Sequence, residues 1–162
     1  MSASVLIREY ARADQSALLG LVLELQAFER QWDEDVRPAS DIGPWYVADL
    51  QNQCAKDQGT ILIAERTGKA VGYAVIYTGF STVGDRDQIA YRYGRIGDLC
   101  VTEACRGSGI GRALIAECEA RTRAAGVDRL TIRHDPQNAR GAQLYAALGF
   151  RAVQVVREKR LG

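Results

Sequence analysis

Residues 97–112 read Gly97-Asp98-Leu99-Cys100-Val101-Thr102-Glu103-Ala104-Cys105-Arg106-Gly107-Ser108-Gly109-Ile110-Gly111-Arg112, and the fold turns on how this stretch is parsed. Leu99-Cys100-Val101 reads as the apolar end of a strand. Three glycines then fall at Gly107, Gly109 and Gly111. Residues 109–125 take up helical spacing, with Ile110, Leu114 and Cys118 on one stripe and Ala113 and Ile115 beside it, and Gly126 ends the run. The segment is therefore predicted to be strand, glycine turn, helix. Glycines let a backbone bend sharply and approach a ligand without Cβ interference, while a helix start presents unpaired N–H groups and a partial positive charge. The guest that suits such a turn is an anion.

Spacing sorts the possible anions. A P-loop needs GxxxxGK followed by Ser or Thr, but Arg112 and Ala113 stand at those places after Gly107. A dinucleotide fingerprint needs GxGxxG, whereas Gly107-Ser108-Gly109-Ile110-Gly111 is GxGxG in the later half of the chain. Taken alone, so short a motif is as readily a plain link between strand and helix.

Outward from the turn, Ile89–Thr102 reads as the strand leading into it, and the polar Ser81–Gln88 as a loop. Thr60–Arg66 and Ala70–Phe80 are β-branched and aromatic runs joined by Thr67-Gly68-Lys69, a hairpin. Ser4–Tyr10 alternates like a strand, and Asp14 offers an N-cap for a helix through Phe28. Pro44 suits the first turn of a second helix to about Lys56. Downstream, Val127–Arg133 is a strand, Gln137–Leu148 a helix closed by Gly149, and Phe150–Arg157 a last strand. This order implies an α/β fold with a mixed sheet.

With 162 residues, 47% hydrophobic and 25% charged, the chain fits one soluble domain, residues 1–162, without a run long enough to span a membrane. The opening MSASVLIREYARADQ lacks the basic patch and apolar core of an export signal. Cys54, Cys100, Cys105 and Cys118 show no CxxC spacing, so reduced thiols in a cytoplasmic setting are expected. A single histidine, His134, argues against a metal site, and a net charge of +1 against a nucleic-acid partner. The charge is nonetheless polarised: residues 24–41 carry a balance of −4, and residues from Arg106 onward +6.

Arg106, Gly109 and Gly111 match in register the acyl-CoA turn of the GNAT superfamily of N-acetyltransferases: Arg or Gln, two residues, Gly, one residue, Gly or Ala. Gly97-Asp98-Leu99-Cys100-Val101 resembles that family's central strand, and Asn138 to Phe150 its second signature, so the resemblance covers about residues 70–157. Asn138 and Tyr145, seven positions apart, share one helix face.

The resemblance implies a sheet of six or seven strands flanked by four helices, with two central parallel strands splayed apart. It implies acetyl-CoA as donor, direct transfer to a primary amine, and commonly a homodimer. Residues 1–57 would form the acceptor-side wall and 60–157 the acyl-CoA-binding core. Leu99, Cys100 and Val101 would meet the pantetheine arm, and Arg106, Gly107, Ser108, Gly109, Ile110, Gly111 and Arg112 the pyrophosphate, with Asn138 assisting. Tyr145 matches the tyrosine that protonates the departing sulfur. Relatives often carry a glutamate on the central strand, but here Gly97 and Asp98 stand there. Asp98 either serves as base through a water or only completes the strand's hydrogen bonding, and Glu24 and Glu29 are further candidates. These two also begin the acidic region 24–41, which would draw a cationic acceptor such as a polyamine, aminoglycoside, amino acid or protein N-terminus. A covalent acyl-cysteine at Cys100 or Cys105 lacks a recognisable dyad, and His134 reads as a turn residue. The alternative is a catalytically silent acyl-CoA sensor of the same fold.

Overall fold

Ile61, Leu62, Ile63 and Ala64 run as an uninterrupted apolar stretch, and all four are buried. Successive strand residues face opposite sides, so such a run requires cover on both faces of the sheet. The computed structural model, which describes residues 4–87 and 89–161, supplies that cover. The sheet is built from β1 (Leu6–Glu9), β2 (Gly59–Arg66), β3 (Lys69–Ser81), β4 (Arg92–Val101) and β5 (Leu130–Ile132) in the order β1-β2-β3-β4-β5. Each neighbouring pair is antiparallel except β4 and β5, which are parallel.

The helices α1 (Gln15–Arg30) and α2 (Pro44–Lys56) precede β2, α3 (Ile110–Ala124) joins β4 to β5, and α4 (Ala139–Ala147) follows β5. Ile61, Ile63, Tyr73, Val75 and Tyr77 point to one face and pack with Leu18, Leu21 and Val22 of α1 and Val47 and Leu50 of α2. Leu62, Ala64, Ala74 and Ile76 point to the other and pack with Ile110, Leu114, Ile115 and Cys118 of α3. This is the predicted α/β mixed sheet with four helices. Among the described residues no helix is long and apolar enough to cross a membrane.

Two expectations are corrected. Asp14 does not cap α1 through its side chain. It closes the turn Arg12–Asp14 before it, accepting from the Ala11 amide (2.8 Å) and pairing with the Arg8 guanidinium (2.7 Å). The described residues form five strands rather than six or seven, because Phe150–Arg157 takes no place in the sheet. The free edge beside it, β5, is only three residues long and offers little backbone to pair with. Residues 151–161 stay exposed, and Arg160 reaches Glu34 and Asp35 instead. Of the loop Ser81–Gln88, Gln88 lies outside the described residues, as do Met1–Ala3 of the N-terminal reading.

One irregularity positions everything that follows. β4 and β5 pair only at Gly94–Leu130, Arg95–Thr131 and Ile96–Ile132. Beyond Ile96, β4 continues to Val101 still paired with β3, so its other edge is left without a strand. Its register with β3 also shifts between Ala74 and Ile76, opposite Gly97 and Asp98. The central parallel strands are splayed there.

Candidate active site

The gap between β4 and the segment after β5 opens into a cleft of about 380 Å³. Its floor is Gly97 and Leu99–Val101; one end is the turn from Arg106 to Arg112, Ser108 excepted; Asn138, at the start of α4, and Tyr145 within it flank it, and Phe28 and Glu29 of α1, with Trp32 just beyond that helix, close the far side. A wider depression of about 440 Å³ lies at the C-terminal end of α3 and contains none of these residues.

The turn is held in an anion-binding shape. Gly107 and Gly109 adopt φ of +81° and +85°, the left-handed region that L side chains avoid. The first helical bond of α3 runs from the Ala113 amide to Gly109 O (3.0 Å), so the amides of Ile110, Gly111 and Arg112 have no partner within the helix. No acidic side chain occupies the first turn of α3. Ser108 Oγ donates to Cys105 O (2.6 Å) and accepts from Arg66 (2.9 Å), while Arg140 lies 3.5 Å from where a Gly107 Cβ would be. Gly111 packs its Cα against Leu144 of α4, with an added Cβ 3.4 Å from that side chain.

Asn138 caps α4, its Oδ1 accepting from the Gly141 amide at 2.9 Å. Two turns on, Tyr145 is half-buried between His134 (ring centroids 5.3 Å) and Phe150 (6.0 Å). Burial, then the charge of Glu29, pushes its hydroxyl up to about 12, so it holds its proton at neutral pH. His134 Nδ1 sits 2.8 Å from Asp135 O, which fills the turn as expected, but its ring also faces Tyr145.

The three candidate carboxylates take different places. Asp98 does not line the cleft: Tyr73 donates to it at 2.9 Å, the Tyr46 hydroxyl also approaches it, and burial raises its pKa. Gly97 does face the cleft, and a Cβ there would lie 2.6 Å from Tyr77, whose ring fills the place a side chain would take. Glu29 lines the cleft, and although solvent reaches it, surrounding protein and then the charges of Asp98 and Asp33 push its carboxyl up to about 6. Glu24, expected on the acceptor wall with Glu29, instead pairs with Arg106 (3.1 Å) and accepts from the Glu103 amide (2.6 Å). It does not line the cleft.

Cys100 is buried and its thiol is pushed up to about 12 by that burial, which leaves it a packing residue. All four cysteines are free thiols. The aromatic surround of Asp98 and the wall formed by Phe28 and Trp32 were not anticipated. A signal existed: Tyr73 and Tyr77 share a strand face at even spacing, and Phe28 near the end of α1 is followed four residues on by Trp32.

Known proteins resemble the chain along most of its length. An uncharacterized N-acetyltransferase, YhfO of Bacillus subtilis, is 27% identical over 144 residues, covering 89% of this chain and 88% of that protein. A variant of the BH1408 protein from Bacillus halodurans superposes with a TM-score of 0.85 at 24% identity, over 96% of this chain and 99% of that one. AAC(6')-Iy, solved with the bisubstrate analog CoA-S-monomethyl-acetylneamine, superposes with a TM-score of 0.75 at 20% identity, over 98% of both chains. Residues 24–150 match the acetyltransferase (GNAT) family, and the chain belongs to that family.

Proposed function

We propose that this acetyltransferase moves an acetyl group from acetyl-CoA directly to a primary amine while both occupy one cleft. A single observation carries the reading: the free amides after Gly109, the unpaired edge of β4, Tyr145 and Glu29 all border the same 380 Å³ space. The donor fits these residues. Amides of Ile110, Gly111 and Arg112, with Arg140 above Gly107, suit a diphosphate, and the bare edge of Gly97–Val101 suits an extended arm carrying amide groups. Bound there, acetyl-CoA supplies an activated thioester carbonyl.

The chain's own groups then divide the work. Glu29, the cleft carboxylate on the side of Phe28 and Trp32, accepts the proton that an alkylammonium must lose before it attacks. Backbone donors of β4 steady the developing oxyanion, since they are oriented before reaction. Tyr145, still protonated at neutral pH, delivers a proton to the departing sulfur. Asp98 supports this wall through Tyr73 and Tyr46 rather than meeting the amine. A cationic amine is favoured by Glu29 and by Asp33 beyond it, with Phe28 and Trp32 offering aromatic faces. A cytoplasmic setting, supported by the free thiols, and a homodimer, supported by exposed Val153, Val155, Val156 and Leu161, complete the reading.

Calorimetric titration with acetyl-CoA tests the donor half. Heat with one-to-one stoichiometry is expected, and none with folded protein would remove the reading.

A further inference from the structure

A carboxylate beside a diphosphate-binding turn repels the ligand that the turn attracts, so the presence of Glu24 there calls for a cause other than donor affinity. Its Oε1 accepts from the Glu103 amide (2.6 Å) and from Arg106 Nη2 (3.1 Å). The Arg106 Nε in turn donates to Val101 O (3.0 Å), at the end of β4. The same guanidinium lies over the Phe28 ring, 5.0 Å from its centroid, and Phe28 meets Trp32 edge-on at 4.7 Å. Both partners of the ion pair are mostly shielded, with 24% and 30% of their side chains exposed. Glu24 and Phe28, four residues apart, share one face of α1, and Trp32 just beyond the helix continues that face through its contact with Phe28. The donor turn, the end of β4 and the acceptor wall thus meet at one guanidinium.

We infer that Glu24 is a positioning residue: through Arg106 it fixes the acceptor-facing end of α1 to the donor turn, so that filling the turn sets the position of Phe28, Glu29 and Trp32. This rests on the reading that the turn holds the donor's diphosphate. Binding of the donor head then prepares the amine site, and the two substrates bind with positive coupling.

Trp32 and Trp45 are the two tryptophans, and Trp45 is exposed on α2, so full-length Trp45→Phe protein carries Trp32 as a single reporter. The probe is adenosine 3′-phosphate 5′-diphosphate, the head of coenzyme A without the arm that would touch Trp32 directly. Its binding, followed by calorimetry, is expected to shift Trp32 emission. Adding Glu24→Gln, which keeps an acceptor for the Glu103 amide, is expected to leave head affinity unchanged or tighter while the emission response falls by about fivefold or more. Glu24→Asp, which keeps the charge, should restore part of the response and guards against a misfolded Gln variant. An undiminished response in Glu24→Gln would overturn the inference, as would joint loss of head affinity and melting temperature, which marks a merely structural role. No heat with the parent protein would instead remove the donor-site reading on which the inference stands.

Discussion

The hydroxyl of Tyr73 donates to Oδ2 of Asp98 at 2.9 Å from inside the core, and this bond ties down the carboxylate nearest the splay of β4. Burial is the largest influence on Asp98 and raises its pKa, with Tyr73 and Tyr46 opposing it. A carboxyl that holds its proton more tightly when folded contributes stability at low pH that is lost as pH rises towards the folded value. Asp98→Asn is therefore expected to melt at or above the wild-type temperature at pH 7, with the difference shrinking towards pH 4. Its turnover should stay within about tenfold of wild type, short of the 10²–10⁴ that loss of a general base costs. Paired melts and rate measurements check both, and a larger loss of rate would return the base to Asp98.

Glu29→Gln is expected to lower kcat by about 10²-fold or more. Glu29 must be ionised to accept a proton, so the wild-type rate should rise with pH through about 6, the value set by burial and by Asp98 and Asp33. That limb should vanish from the pH profile of the variant. A profile that keeps it would assign it to another group.

Tyr145→Phe keeps the ring that packs against His134 and Phe150 but removes the hydroxyl proposed as the acid. Turnover should fall by about 10- to 100-fold, with acetyl-CoA affinity nearly unchanged. Comparison of single-turnover rates with calorimetric Kd separates the two effects.

Nothing lies within 4 Å of a Cβ added at Gly109, so crowding within the protein would not oppose a larger side chain there. The cost of Gly109→Val comes from φ of +85°, about 1–2 kcal/mol for an L residue, and from bulk placed before the free amides. Wild-type protein at a hundredfold excess over Kd should gain about 2.7 kcal/mol from acetyl-CoA. The variant is expected to lose most of that gain in a thermal-shift titration.

Asp14 pairs with Arg8 through two hydrogen bonds, and that guanidinium, more than any other influence, holds its carboxyl below the usual carboxylate range. A depressed pKa contributes stability above the unfolded value and loses it as pH falls through the folded one. Asp14→Asn should cost about 1–3 kcal/mol at pH 7 in urea denaturation, and the gap should close in acid, below about pH 4.

Local periodicity made most of the fold legible. Ile61–Ala64 demands cover on both faces, Pro44 starts α2, and Gly126 and Gly149 end α3 and α4 at φ of +70° and +87°. The glycine turn was legible for the same reason, since its shape resides in backbone conformation that the residue types dictate. Side-chain partnerships across the sequence were not. Glu24 and Glu103 are 79 residues apart, and Tyr73 and Asp98 are 25 apart, so spacing along one element says nothing of either contact. The last strand failed because a β-like pattern at residues 150–157 specifies a strand only where an edge exists to receive it, and β5 is three residues long.

Release of free thiol from acetyl-CoA, followed across a panel of primary amines with intact-mass detection of the products, bears most directly on the central claim. The expected result is thiol release that depends on the amine, matched mole for mole by an acetylated product, and strongly reduced in Glu29→Gln. Folded protein that binds acetyl-CoA yet releases no thiol above buffer hydrolysis with any amine would contradict it, and would leave a chain that holds the donor without transferring its acetyl group.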